Sequence, residues 1–312
     1  MKTQIAIYCL LLLMSQSIWA QSQTSIKLFR FGPSGYEKPG VEYPDGRRLD
    51  VSEFGSDYNE SFFETDGINR LKNWLATYAA QCLPVDKSVR IGPCVARPSK
   101  IVGIGLNYRD HAQEASMAIP KEPVIFLKAT SSLSGPFDPI PMPPSSQKLD
   151  WEVEIAIVIG KKAALLSEQE AVNYIAGYAL VNDVSERSYQ LEGTGQWTKG
   201  KSFDGFGPLG PYFIPASQLP DPQHIALQLS VNEKVMQSSN TANMIFGINY
   251  LVSYISQYMT LLPGDVIITG TPAGVGLGHK PAVFLQVGDE VVLKGEGLGT
   301  QRQKVVPFKK DR

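Results

Sequence analysis

Histidine and cysteine are both scarce in this chain, with three of each among 312 residues. The histidines are His111, His224 and His279, and no CxxC pair occurs, which argues against a structural zinc site of thiolates and imidazoles. Any metal here has to be held mainly by oxygen. An excess of one charge is also missing: 29 basic residues face 30 acidic ones with no block of either sign, so an electrostatic nucleic-acid binder is not indicated. With 43% hydrophobic residues the chain is not a disordered one either. A long apolar run is lacking as well. The segment Ile5–Met14 is roughly 10 residues, about half of what a membrane span needs. Preceded by Lys2 and followed by a polar stretch ending in Ala20, it predicts a signal peptide over 1–20. The expectation is an exported, periplasmic protein with no membrane span once the signal is removed. Cys9 leaves with that segment. Cys82 and Cys94 remain and are expected to form one disulfide across a short loop, two isolated thiols being the alternative.

Glycine and proline, 28 and 22 residues, punctuate many short extended runs. Residues 21–97 read as a small N-terminal α/β module, with KLFRF as a strand and VEYPDGRRLDV carrying a Pro-Asp-Gly turn. Ile68, Leu71, Trp74, Leu75 and Tyr78 recur at helical spacing and form a core stripe. Residues 98–308 read as a β-rich domain, its strands being IVGIGLNY, VIFLK, WEVEIAIVIG, YALVNDV, IALQLSVNEKV, VIITG and EVVLKGEG. Two helices interrupt them. One starts at a Ser167–Glu170 capping box and ends near Gly177, and the other runs from about Asn243 to Tyr258. The fold class is α+β and rich in strand.

The chemistry begins at DWEVEIAIVIG. Residues i and i+2 of a strand share a face, which sets Glu152 and Glu154 side by side with Cα atoms about 6.5–7 Å apart. Two carboxylates that close raise each other's pKa unless a cation sits between them. Asp183, at the end of the aliphatic run YALVNDV, offers a third carboxylate at a strand end. A hard divalent cation, Mg²⁺ or Mn²⁺, suits three such oxygens with room left for substrate. In LNYRDHAQEA, His111 and Glu114 are three apart on one helical face, where the carboxylate can orient the imidazole as a general base. Gln190, Lys199 and Lys201 follow the third acid, and a lysine there could hold a substrate anion or pair with an acid. The run GTPAGVGLG lacks the Lys-Ser/Thr ending of a phosphate loop and reads as a tight turn approaching the substrate.

GLNYRDHAQEA, DWEVEIAIVIG, NDVSERSYQ, WTKGKSFDGFGPLGP and PGDVIITGTPAGVG, in this order, resemble the fumarylacetoacetate hydrolase family over about residues 98–306. The branch it is most similar to has a short N-terminal domain and includes 2,4-diketo-3-deoxy-sugar-acid hydrolases, acylpyruvate hydrolases and so-called ureidoglycolate lyases. The resemblance implies a mixed β-sandwich roll and a homodimer. It implies metal ligands at Glu152, Glu154 and Asp183, a lid pair at His111 and Glu114, and an active-site lysine at Lys201. It also implies substrate or lid contacts at Arg109, Gln190 and Thr271. The expected reaction is metal-dependent C–C cleavage of a 2,4-diketo acid to a 2-oxo acid and a carboxylic acid. Oxaloacetate decarboxylation, tautomerisation and a ureidoglycolate-type carbon–nitrogen lyase are the alternatives on the same site, and an exported binding protein without turnover is the alternative of a different class.

Overall fold

The computed structural model describes residues 25–310. Six strands form a central sheet: β1 (Ile101–Gly105), β2 (Val124–Lys128), β3 (Val153–Ile159), β4 (Ile175–Asn182), β5 (Ile214–Pro215) and β6 (Val266–Ile268). Their spatial order is β5-β4-β3-β6-β1-β2. The pair β6 and β1 is parallel, and the other neighbours are antiparallel. The sequence of β3, VEIAIVI, is mostly β-branched, and all seven of its residues are buried. Alternation sends Val153, Ile155, Ile157 and Ile159 into one core and Ala156 and Val158 into another.

A five-stranded sheet covers the first of these faces. Its order is Lys234–Asn240, Ala226–Val231, Glu290–Gly295, Gly299–Pro307, Ile140–Met142, and Leu227, Leu229, Val291 and Leu293 fill the space between the sheets. The strand-rich sandwich expected from the sequence is thus formed. The second face is covered from the N-terminal side, where a four-stranded sheet and the helices Glu60–Glu64 and Gly67–Tyr78 bring Leu28, Val41, Phe62 and Leu71 into one core with Ala156, Val158 and Val181. Leu28 and Phe213 exchange both backbone hydrogen bonds, at 3.0 and 2.8 Å. Each fully buried Leu or Phe contributes roughly 1.5–3 kcal/mol, so both faces of the site-bearing sheet are clamped.

Several local expectations are revised. The Ser167–Glu170 capping box forms, but the α-helix ends at Ala171, a 3₁₀ turn continues to Tyr174, and Gly177 lies inside β4. A Cβ on Gly177 would meet the Ile214 carbonyl at 2.1 Å, so this glycine admits β5 and does not stop a helix. The second helix begins at Ile248. Its expected first turn is not α-helical: Thr241–Asn243 form a 3₁₀ turn, and after it the Asn107 amide accepts from Phe246 N at 2.8 Å and donates to Phe246 O at 3.1 Å. IALQLSVNEKV is a hairpin, turned by Asn232 and Glu233 at φ 48° and 67°. Cys82 and Cys94 are both free, which corrects the expected disulfide. The Cys82 thiol turns to the Tyr78 carbonyl, while burial pushes the Cys94 thiol up to about 12. The expected signal peptide lies outside the described residues. Among those described, no helix is long and apolar enough to cross a membrane.

Candidate metal centre and active site

Because β3 and β4 are antiparallel neighbours with Val153 opposite Asn182, the start of one lies beside the end of the other. Glu152 and Glu154 stand at the start of β3, and Asp183 follows β4, its N–H donating to the Glu152 carbonyl at 2.9 Å. All three are buried, and one carboxylate oxygen from each lies within 4.8 Å of the others. Lys201 Nζ donates to Glu152 Oε2 at 2.7 Å and to Asp183 Oδ2 at 2.6 Å. Lys128 Nζ donates to Asp183 Oδ1 at 2.6 Å. Arg187 pairs through Nη2 with Glu152 Oε1 at 2.7 Å and donates from Nε to Asp150 Oδ2 at 2.8 Å.

Four buried carboxylates, Asp150, Glu152, Glu154 and Asp183, thus face three buried cations, Lys128, Arg187 and Lys201. The imbalance falls on Glu154. Burial pushes Glu152 upward, but the charges of Lys201 and Arg187 outweigh that and hold it at about 2. Glu154 goes the other way: burial, then the Asp183 and Glu152 charges, raise its carboxyl well above the usual range. Its one hydrogen bond to the backbone comes from Gly270 N at 2.7 Å. Hard oxygen donors, close convergence and one uncompensated acid fit a divalent cation.

The run GTPAGVGLG supplies backbone donors to the acids around this centre. Besides Gly270, Gly274 N donates to Glu114 Oε1 at 2.9 Å, and Gly276 N and Leu277 N donate to Asp150 at 2.6 and 3.0 Å. A Cβ on Gly278 would fall 2.3 Å from the Glu114 carboxyl carbon, so a side chain there would push the Glu114 carboxylate from this place. The helix Arg109–Glu114 carries His111, whose Nδ1 lies 3.0 Å from Glu114 Oε2. Burial opposes ionisation of Glu114, but the bonds from His111 and Gly274 N hold its carboxyl below the usual range. With Nδ1–H given to a carboxylate, Nε2 is the ring nitrogen left to accept a proton.

The profile of the fumarylacetoacetate (FAA) hydrolase C-terminal family matches residues 100–306. The chain belongs to the fumarylacetoacetate hydrolase family. A Burkholderia lata protein provisionally named a hydrolase is 50% identical over 279 residues, covering 89% of this chain and 98% of the relative. The solved fumarylacetoacetate hydrolase of Exiguobacterium antarcticum is similar with a TM-score of 0.78 and 34% identity, over 91% of this chain and 100% of that one. The maleylpyruvate hydrolase of Sphingobium sp. SYK-6, solved with manganese(II) and pyruvate, has a TM-score of 0.75 and 27% identity, over 91% and 100%.

In this member of the fumarylacetoacetate hydrolase family, His111, Glu152, Glu154, Gln190, Lys201 and Thr271 all line one cavity of about 190 Å³. Gln190 is fixed by Arg187 Nη1, which donates to its Oε1 at 2.9 Å. Thr271 touches the cavity, but its hydroxyl is spent on the Val153 carbonyl at 3.0 Å and the Gln237 amide at 2.8 Å. Arg109 is not among the lining residues; its Nη1 donates to the Met244 carbonyl at 2.6 Å, so it braces the helix of the lid. Lys199 is exposed and donates to Thr194 Oγ1 at 3.2 Å. Three residues that sequence reasoning left without a role, Lys128, Asp150 and Arg187, hold the acids in place. Lys128 carried a usable signal, since it ends the aliphatic run VIFLK much as Asp183 ends YALVN.

Proposed function

We propose that this protein is a divalent-metal-dependent hydrolase that cleaves the C–C bond of a 2,4-diketo acid, giving a 2-oxo acid and a carboxylic acid. The observation that carries this reading is a buried cluster of three carboxylates, Glu152, Glu154 and Asp183, of which Glu152 and Glu154 line the same cavity as the His111 imidazole. Glu152, Glu154 and Asp183 would hold the metal, which when bound supplies Lewis-acid stabilisation of the negative charge that develops on the 2-oxo acid half. Support also comes from the Sphingobium relative, solved with manganese and the 2-oxo acid pyruvate.

The chain's own groups divide the remaining work. Lys201 and Arg187 place two cations on the floor, where the substrate carboxylate binds, and Gln190 offers its amide beside them. His111 Nε2 takes a proton from water as the oxygen attacks the 4-carbonyl. Glu114 holds Nδ1–H throughout, and Gly274 N fixes Glu114 in turn. The C3–C4 bond then breaks toward the 2-oxo acid half, and a proton returns to C3.

The test is a panel of acylpyruvates, diketo-deoxy sugar acids and oxaloacetate, assayed with Mg²⁺, with Mn²⁺ and with EDTA. We expect cleavage of at least one diketo acid that EDTA abolishes and either metal restores. Turnover of oxaloacetate alone, or equal rates in EDTA, would overturn the reading.

A further inference from the structure

The cavity has two chemically distinct ends. One carries the acids with Arg187 and Lys201; Phe126, whose ring centroid lies 5.1 Å from Lys201 Nζ, borders it, and beyond that ring the lining is Trp197 and Val275 inside and Met117, Leu191 and Leu277 at the rim. The strand VGIG of β1 makes that wall possible. Bare backbone at Gly103 and Gly105 lets the Phe126 and Trp197 rings lie where a Cβ would be, both at 2.2 Å, and the rings pack 5.7 Å apart. At the rim, Met117, Leu191 and Leu277 are 56%, 46% and 41% exposed, an apolar surface that water covers at a cost unless a ligand does.

Polar partners are missing from this end. Among the described residues, Arg187 and Lys201 are the Arg and Lys side chains on the cavity; each is paired with two carboxylates of the floor, and in the reading above what remains of their charge is taken by the carboxylate of the 2-oxo acid half. The Thr271 hydroxyl is spent within the protein, and Gln190 Oε1 is spent on Arg187. A second carboxylate would be desolvated against the Trp197 ring and the rim side chains with no unpaired counter-charge, Lys201 behind Phe126 being held by Glu152 and Asp183, and a polyol would lose water with few donors or acceptors in return.

We infer that the tail of the substrate beyond its 4-carbonyl is an uncharged apolar chain, alkyl or aryl, and neither a carboxylate nor a sugar-like polyol. This rests on the hydrolase reading above and narrows it to acylpyruvates with hydrophobic acyl groups. Growth of an alkyl tail should raise kcat/KM roughly three- to fourfold per methylene until the wall is filled.

The experiment uses the metal-loaded full chain and 2,4-diketo acids that differ only in the tail: methyl to butyl, phenyl, a terminal carboxylate of butyl length, and a polyol. In parallel, unreactive saturated 2-oxo acids with the same tails are titrated by Trp197 fluorescence, with Trp197→Phe as control. We expect rising kcat/KM and tightening Kd along the alkyl series, and at least a hundredfold deficit for the carboxylate. Leu277→Arg, and separately Leu191→Arg, should narrow that deficit at least tenfold. A carboxylate or polyol tail that matches the alkyl tail overturns the inference while leaving the hydrolase reading intact. If no diketo acid is cleaved, the hydrolase reading fails, and the fluorescence series decides the tail on its own: tighter binding with alkyl length upholds it, and no length dependence overturns it.

Discussion

At the floor of the cavity Glu152, Asp183, Lys128, Arg187 and Lys201 are buried and paired with one another, whereas the lid above carries His111 and Glu114 with side chains 17% and 18% exposed. The floor hangs from strand ends clamped on both faces. The lid helix has six residues, runs into an exposed stretch containing Met117 and Ile119, and reaches the floor side through the bond from Gly274 N to Glu114. Geometry at the floor is therefore over-determined, while that of the lid depends on a few contacts that can be remade. Under the function proposed above, a substrate would enter past the lid without disturbing the charges of the floor.

The largest effect should come from breaking the floor. Glu152→Ala takes one partner each from Lys201 and Arg187, which keep Asp183 and Asp150, a loss of about 1–3 kcal/mol, and removes one of three proposed metal ligands. Activity on a cleaved diketo acid should fall by roughly three orders of magnitude or more, with a lower Tm. Unchanged melting would show that the ion pairs are not what sets the floor. His111→Ala should cut kcat by about 10²- to 10⁴-fold, yet leave Tm and metal affinity near wild type. Hydrolysis that survives this change, measured alongside oxaloacetate decarboxylation, would remove the lid from the chemistry.

How much of each region could be read from sequence follows the same division. Glu152 and Glu154 were legible because strand periodicity fixes their common side, and His111 with Glu114 because helical spacing does. The partners of Lys128 and Arg187 were not: Lys128 showed itself only as a lysine ending an aliphatic run, and Asp183 and Asp150 lie 55 and 37 positions away from the two cations, brought to them only by the tertiary fold. For Arg109 the motif position left substrate and lid contact open, and only the tertiary structure shows the side chain turning to the Met244 carbonyl. In the fold, the turn at Asn232–Glu233 escaped notice because Glu at φ 67° replaces the expected glycine. The non-helical start before Ile248 is imposed by Asn107, a tertiary contact 139 positions away.

A smaller effect separates orientation from charge in the lid. Glu114→Gln keeps an oxygen that can accept from His111 Nδ1–H but loses the negative charge that favours the protonated ring. We expect about a tenfold to hundredfold loss of kcat with little change in KM. The acid limb of the pH–rate profile should also respond. In the wild type Glu114 keeps its charge below the usual carboxylate range, so its support persists as pH falls through that range and is lost only at its depressed pKa. The Gln variant lacks this support at every pH, and an identical profile for the two proteins would show that Glu114 acts only as a spacer.

The smallest effect, and the one with the least intuitive sign, is at Glu154. Its folded pKa is raised by burial and by Asp183 and Glu152, so in metal-free protein the folded state holds a proton that the unfolded chain releases above about 4.5. Ionisation therefore favours unfolding, and stability falls as pH rises from the unfolded value through the folded one. Glu154→Gln removes that penalty, and its amide can still accept from Gly270 N and donate to Asp183. In EDTA at pH 7 the variant should melt above wild type, on the order of 2–4 °C for each kcal/mol relieved, and the two should converge near pH 4. Saturating Mg²⁺ should reverse the order, because binding stabilises only the chain that retains all three carboxylates. A Glu154→Gln protein that melts below wild type in EDTA would mean that Glu154 is compensated within the chain, and the floor would then carry no charge deficit for a cation to fill.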